Sequence, residues 1–560
     1  MKAKVVERSQ QSQSQKKRQI KGDFLIYFFA IILTLAVFFR FANLDVKAYW
    51  GDETVTSLRV SGHTLAELKQ LAFQGEEISV AEIQNYQYPN PEKNILDTIT
   101  GLATEEPQHP PLYFVLVKLW VQLFGNSIAV TRSFSAVLSL LALPCIYWLA
   151  QELFNSPLTG GVAITLMAVS PFQVLYAQEA RSSSFWTVTI LLSSAALLRA
   201  KRVQTKISWI LYALTLTIGF YTFVLSGTIA IAHGIYLIIN EGFKLTKSKE
   251  ASSLHGEVSS TKTIRNYFIS LVVSFILFIP WIIAVLTNFS EADATTSWTK
   301  ATVSLQSLTK TWLLNLSRSF IDFNYNFVTR NLLMYAIIAG LVILVAYSIY
   351  FLCRHTQQQV WLFVLTLTIV PALILVIPDL IFGGIRSSVA RYAIPCFLGM
   401  QITVAYMLAS QMTSAVSSQW RQQIWRVVSV ILISGSISSC VTISQAQIWW
   451  NKYNAATLPE VAKIVNQAAN PVFITSWHGL MAFSHAFDPK VKFYPVERQP
   501  IALSDEENSD IFVYESANVL KALTESKQKY QIAQKYEWKK YIEPVYEVRT
   551  TLWKLEKRSL

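Results

Sequence analysis

The sequence predicts a polytopic α-helical membrane protein of about eleven transmembrane helices, with interfacial helices in its first outer loop and a small α/β soluble domain at its C-terminal end. Three observations predict this class. Charged residues are only 15% of the 560 positions and hydrophobic ones 52%, whereas soluble domains carry about 25% charged residues. Apolar runs recur up to residue 444, most of them close to the ~20 residues that cross ~30 Å of hydrocarbon. Beyond residue 446 the text turns polar and mixed.

Residues 1–23 form a basic tail, "KKRQIKGD" included, which the positive-inside bias assigns to the cytoplasm. The first apolar run, "FLIYFFAIILTLAVFFRF" at 24–41, has no small-residue cleavage site after it; it reads as an uncleaved span and not as a signal peptide. Further spans are expected at 129–150, 160–176, 185–199, 208–224, 226–240, 267–287, 332–353, 360–378, 393–410 and 424–444. The stretch "PPLYFVLVKLWVQLFG" at 110–125 is short, opens on two prolines and carries Lys118. If it lies on the membrane, then "RAKRVQTK" at 199–206, "EGFKLTKSKE" at 241–250 with "TKTIR" at 261–265, "CRHTQQQ" at 353–359 and "QWRQQIWR" at 419–426 all share the side of the N-terminal tail. If it crosses, they all flip away. The charge bias therefore favours an interfacial helix.

The outer face then collects the first loop 42–128, "YAQEARSSS" at 176–184, the loop 288–331, "DLIFGGIRSSVARYAIP" at 379–395 and the C-terminal segment. The expected division is a tail 1–23, a transmembrane domain 24–446 and an extracytoplasmic α/β domain 447–560. In that domain "LPEVAKIVNQAA" reads as a helix, and "PVFIT", "DIFVY" and "VYEVRTTLWKL" read as strands. The net charge of +13 sits mainly in the tail and the inner loops, so it answers the membrane and not nucleic acid. Cys145, Cys353, Cys396 and Cys440 fall in or beside apolar runs, with neither a disulfide framework nor a zinc spacing.

Four polar motifs share the outer side: Asp52-Glu53 in "AYWGDETVTSLRVSGHT", "HPPLY" at 109–113, "QEAR" at 178–181 and "IRSSVARY" at 385–392. Each alone has a plain reading, as a solvated exit, a helix cap, a local ion pair or headgroup anchors. Together they offer both charges at span ends. A carboxylate within hydrogen-bond reach of a hydroxyl or amine acts as general base. Arginines bind phosphate bidentately, stay charged, and stabilise charge that develops on a leaving group. A lipid phosphate is the substrate this set suggests.

The order of these motifs resembles the C-type glycosyltransferases that use polyprenyl-phosphate sugars, the protein O-mannosyltransferases and the relatives of the lipid A aminoarabinose transferase. The pieces are "WGDETVTSLRVSGHT", "HPPLYFVLVKLWVQLFGNSIAVTRSFSAVLSLL", "SPFQVLYAQEARSSSF" and "RYAIP". They cover the first two hundred residues well and the second half by span pattern and the last motif. The resemblance implies that Asp52 is the catalytic carboxylate with Glu53 its neighbour. It gives the donor phosphate to Arg181, Arg386, Arg391 and Tyr392, and substrate binding or a structural role to His109, Arg132 and Glu179. Ser183 stands where the family often has tyrosine, which bears on the shape of the donor pocket. A bacterial inner (plasma) membrane is the implied location. The implied partners are a polyprenyl-phosphate sugar and a glycolipid, polysaccharide or protein acceptor, although no soluble domain of the kind inserted in eukaryotic mannosyltransferases is visible. Some relatives hold a divalent cation near the first-loop carboxylates, and this sequence neither requires nor excludes one.

The remaining acidic residues of the first loop, Glu76, Glu77, Glu82, Glu92, Glu105 and Glu106, read as a solvated, partly mobile stretch. His478 and His485 lack a third metal ligand, and Asn288 and Asn315 open glycosylation sequons. A lipid-linked sugar transporter and a non-catalytic assembly factor stay open as rival functions. A transporter usually shows paired inverted halves, and none is visible here.

Overall fold

The computed structural model describes residues 27–250, 254–328, 331–413, 418–496, 509–525, 530–543 and 546–557; the expected tail 1–23 lies outside them. Helix α1 (Tyr27–Phe41) enters the outer layer. The first loop then folds into α2 (Gly51–Ser61), α3 (Leu65–Ala72), a two-residue strand β1 (Ile78–Ser79), α4 (Val80–Asn85), α5 (Ile95–Glu105) and α6 (Leu112–Phe124). Its sequence dictates these short helices: Thr64, Ser79 and Asn94 each cap a helix in a reciprocal capping box with Glu67, Glu82 and Asp97. Gly62 ends α2 in the left-handed region at φ 95°, where a side chain would be strained.

The bundle follows: α7 (Ile128–Phe154), α8 (Pro157–Ala168), α9 (Pro171–Ala177), α10 (Ser183–Val203), α11 (Lys206–Thr222), α12 (Ser226–Glu250) and α13 (Leu254–Thr287). Two outer helices come next, α14 (Phe289–Thr296) and α15 (Leu305–Arg318), then α16 (Leu332–His355), α17 (Gln358–Phe382), α18 (Ile394–Thr413) and α19 (Gln419–Gln445). Among the described residues each expected span falls mainly on helix, with 160–176 interrupted at 169–170 between α8 and α9. Among the described residues seven helices are long and apolar enough to cross a membrane, or eight if α8 and α9, bent by 58°, form one broken span. The break frees backbone carbonyls that lipid cannot satisfy. Arg40 answers it, donating to the carbonyls of Met167 and Ala168 at 3.2 and 2.8 Å while its Nε holds Ser139.

Helix α6 has 13 residues, a rise of about 20 Å, too short for the hydrocarbon core. The chain on either side of the first loop meets on one face, because Arg132 in α7 donates to the carbonyls of Leu44 and Lys47 at 2.5 and 2.9 Å. At the opposite end of the bundle Arg202 pairs with Glu152 at 2.9 Å, and Lys201 lies 3.6 Å from Glu241.

Beyond α19 a 3₁₀ turn over Trp450–Ala455 leads to α20 (Leu458–Gln467), β2 (Pro471–Thr475), α21 (Trp477–Ser484), β3 (Lys492–Pro495), β4 (Asp510–Tyr514), α22 (Ala517–Glu525), β5 (Tyr530–Glu543) and β6 (Tyr546–Lys557). The sheet order is β1-β3-β2-β4-β6-β5, with β2 parallel to β3 and β4 and the other pairings antiparallel. Two features depart from expectation. Strands β3 and β5 were not anticipated, because "KFYP" is short and β5 is polar on its exposed face. And the C-terminal domain is not closed in sequence: β1 of the first loop is its edge strand, and Trp50, Ala72, Ile78, Val80 and Ile83 belong to its core with Phe473, Phe483 and Phe493.

The acidic stretch of the first loop divides: Glu76, Glu82 and Glu92 are exposed, as expected, while Glu77, Glu105 and Glu106 are partly buried and paired. Arg59 holds Glu105 at 2.5 Å and Glu106 at 3.0 Å, and Glu105 also accepts from the amides of Leu65 and Ala66. Glu82 closes a capping box and Glu77 pairs with Lys492 at 3.0 Å. These charges fix the loop's short helices to each other and to the C-terminal sheet.

Candidate active site

Helix α2 builds the floor. It starts where Trp50 leaves an extended conformation, and its first turn carries Asp52 and Glu53, where the helix dipole favours negative charge. Successive helical residues point about 100° apart, so the two carboxylates face different ways.

Glu53 points inward and has no exposed surface. Arg132 reaches both its oxygens, with Nε at 2.8 Å and Nη2 at 2.7 Å; Lys452 donates at 2.5 Å and the Ala180 amide at 2.9 Å. Burial by itself would raise this carboxyl, but the charges of Arg132 and Lys452 outweigh it and hold it down at about 2. The expectation of two working carboxylates is corrected here: Glu53 is saturated and sealed from substrate, and it ties four segments together.

Asp52 points outward and is 28% exposed. Its Oδ2 accepts from Arg391 at 2.7 Å, and Arg181 lies 3.9 Å away. Burial opposes ionisation, yet Arg391 and then Arg181 keep this carboxyl below its ordinary value. Arg181 is aimed by its neighbours, donating to the Asp52 carbonyl at 3.2 Å, Thr56 Oγ1 at 3.3 Å and His109 Nε2 at 3.2 Å. Burial, and next the Arg181 charge, push His109 well below the usual imidazole range. It is therefore a neutral acceptor that orients the arginine.

Glu179 is buried behind this pair. Its Oε1 accepts from Asn451 at 2.7 Å, and its Oε2 has no partner. Burial raises it to about 7, against the pull of Lys452. Arg386 stands apart from the expected phosphate set: it donates to Asp379 at 3.1 Å, and Asp379 also takes the Ser387 amide at 2.6 Å. That pairing folds the turn after α17 and presents Arg391. Tyr392 packs beside Phe223, with Arg391 over its ring at 5.8 Å.

Lys452, Asn451 and Lys47 escaped sequence reading. Lys47 donates to Gln178 at 2.6 Å, and Gln178 in turn caps the end of α1 by donating to Phe39 and Ala42. Burial, then the nearby charges of Lys452 and Arg132, lower Lys47 to about 7. The one available signal for Lys452 was a lysine set among aromatics, "WWNKYN", at a span exit. His485 is a partly buried, neutral imidazole, pushed down to about 4 by burial, whose Nε2 donates to Gln87 Oε1 at 2.9 Å; the His478 side chain lies outside the described residues. Asn315 is buried and donates to the Ser388 carbonyl, which closes that sequon to glycan.

The first-loop carboxylates do not suit a divalent cation. Asp52 lies against two guanidinium groups and both oxygens of Glu53 are taken by cations, and no group of three metal-ligating side chains occurs among the described residues.

Residues 108–284 match the family model of the dolichyl-phosphate-mannose-protein mannosyltransferases, a stretch that holds His109, Arg132, Glu179 and Arg181. No curated protein matches by sequence. Crystal structures of ArnT from Cupriavidus metallidurans superpose over almost the whole chain. The form bound to undecaprenyl phosphate gives a TM-score of 0.50 at 11% identity, and the apo form 0.52 at 10%; each covers 94% of this chain and 98% of ArnT. With the superposition over 94% of the chain and the family match over residues 108–284, the chain is a membrane protein of the C-type glycosyltransferase fold.

Proposed function

We propose that the protein transfers a sugar from a polyprenyl-phosphate carrier to an acceptor at the extracytoplasmic membrane face. The observation that carries this reading is Asp52: a partly exposed carboxylate at one end of the bundle, in contact with Arg391 and near Arg181. That is one base beside two permanent cations. The fold shared with a protein crystallised on undecaprenyl phosphate supports the carrier.

In this reading the carrier's phosphate engages Arg391 and Arg181. Doing so draws their charge away from Asp52 and makes its carboxylate more basic. The acceptor's hydroxyl or amine gives its proton to Asp52 as its oxygen or nitrogen bonds to the anomeric carbon. The bond from that carbon to the phosphate oxygen breaks, and its electron pair goes to the phosphate, where the arginines stabilise it. A single displacement of this kind inverts the anomeric configuration. An apolar groove of about 980 Å³ between α16 and α19, lined by Gly340, Leu344, Tyr347, Trp425 and Leu432 and ending at Ile321, suits the carrier's isoprenoid tail.

The test is sugar transfer by purified protein with undecaprenyl-phosphate monosaccharides and a membrane glycolipid extract. Wild type should move label from carrier to acceptor, and Asp52→Asn should lose ~10²–10⁴ of the rate. Transfer by the variant within threefold of wild type rules the role out.

A further inference from the structure

We propose that the segment after the last span, Trp450–Tyr453, forms with Trp50 the subsite that recognises the sugar ring being transferred; this rests on the function proposed above. A small, partly enclosed cavity lies beside the arginine of the Asp52 pair. Its walls include Trp50, Trp298, Arg391, Trp450, Asn451 and Tyr453. Three properties suit it to a carbohydrate and not to an isoprenoid or a second phosphate.

The first is its polar complement. Trp50 is 2% exposed and Asn451 7% exposed, and among the described residues neither the Trp50 indole Nε1 nor the Asn451 Oδ1 has a hydrogen-bond partner. Buried polar atoms without partners are rare and call for a ligand. One of these is a donor and the other an acceptor, the combination that neighbouring hydroxyls of a sugar satisfy. The second is its rings. Trp50 meets Tyr453 edge-on at 6.3 Å, and Trp450 meets Tyr176 edge-on at 6.3 Å. Rings in the wall offer flat apolar surface to the C–H face of a pyranose or furanose. The third is that the polar atoms are fixed in advance. Asn451 spends its amide on Glu179 at 2.7 Å, which turns Oδ1 away from that bond. Trp450 is held by Asp322 at 2.6 Å and by Arg318 stacked on its ring at 3.8 Å, and Lys452 anchors the turn on Glu53. A ligand thus meets groups that need little reordering.

With the phosphate on Arg391, which also lines this cavity, the ring attached to it would enter between Trp50 and Asn451. The anomeric carbon would stay near Asp52. The C-terminal domain, whose core contains Trp50, then governs which sugar is accepted.

The experiment compares binding of undecaprenyl phosphate with undecaprenyl phosphate carrying a neutral hexose, a neutral pentose or an amino sugar, by native mass spectrometry and by competition in detergent. Wild type should bind one of the glycosylated carriers about tenfold more tightly than the bare carrier. Trp50→Phe keeps the ring and loses only the N–H; Asn451→Ala loses the acceptor. Each should remove about five- to tenfold of the sugar's added affinity, with affinity for the bare carrier unchanged for Trp50→Phe. The inference is overturned if the variants weaken bare and glycosylated carriers alike, if no sugar adds affinity in wild type, or if only the acceptor KM moves. Wild type that binds no carrier at all overturns the transferase reading itself, a different result from carrier binding without sugar discrimination.

Discussion

Glu53 has no exposed surface, and its oxygens accept from Arg132, Lys452 and the Ala180 amide. Removing its charge leaves two cations buried without a counter-ion, a loss of about 3–5 kcal/mol for a broken buried pair. Glu53→Gln is therefore expected to lower the thermal midpoint in detergent strongly. Asp52→Asn, at a site 28% exposed, should leave the midpoint within a few degrees while abolishing transfer. A scanning-fluorimetry comparison of the two separates anchor from base. Glu179 gives a pH signature. Its folded-state carboxyl sits near 7, above the ~4.3 of an unfolded chain, so the folded state holds the proton more tightly. The stability linked to it is present below the unfolded value and is lost as pH rises towards 7 and beyond. Glu179→Gln should flatten the fall in midpoint between pH 5 and 8, and an unchanged slope would count against the raised value. For the donor, Arg181→Ala and Arg391→Ala should each raise the KM for the lipid-linked sugar more than that for the acceptor. A lost charge-assisted contact is worth ~1.5–3 kcal/mol, and normal donor titrations would defeat the assignment.

At the scale of elements, β1 is the informative piece. Two residues of the first loop pair with β3, Ile78 opposite Phe493 and Ser79 opposite Lys492. The helices on either side of β1 put Ala72, Val80 and Ile83 into the same core. The loop and the C-terminal sheet are one folding unit despite some four hundred intervening residues. Truncation after Ala446 is expected to unfold the first loop as well, exposing it to protease at sites between 65 and 105. Intact loop fragments on limited proteolysis of the truncated chain would show that the loop folds without the sheet. The loop's capping boxes, Thr64 with Glu67 and Ser79 with Glu82, follow a local spacing rule that the reading of this loop as a solvated stretch passed over. The β1–β3 pairing was not legible, because a two-residue strand carries no periodicity.

The whole molecule places Asp52, His109, Arg181 and Arg391 at one end of the bundle, with the basic residues 199–202 at the other. We propose from the positive-inside bias that the site end faces away from the cytoplasm, and the C-terminal domain with it. In a bacterial host, alkaline phosphatase fused after Leu560 should be active and green fluorescent protein dark. The reverse would put the site and its domain in the cytoplasm and would remove the extracytoplasmic acceptor from the proposal.

What the sequence determined by itself was whatever depends on local composition and charge: the helical spans, the shortness of α6, and the gathering of "HPPLY", "QEAR" and "RYAIP" with Asp52 on one side. Hydrocarbon thickness and charge bias act on each segment separately, so a single chain records them. Tertiary structure alone decided which of two adjacent carboxylates is sealed and which is open. It also decided that Arg386 serves Asp379, and that Lys452 and Asn451 belong to the site. The reason is distance along the chain. Lys452 meets Glu53 across 399 positions and Arg391 meets Asp52 across 339. No periodicity or spacing links residues so far apart; only the packing of the bundle and its C-terminal sheet around a buried charge brings them within hydrogen-bond reach.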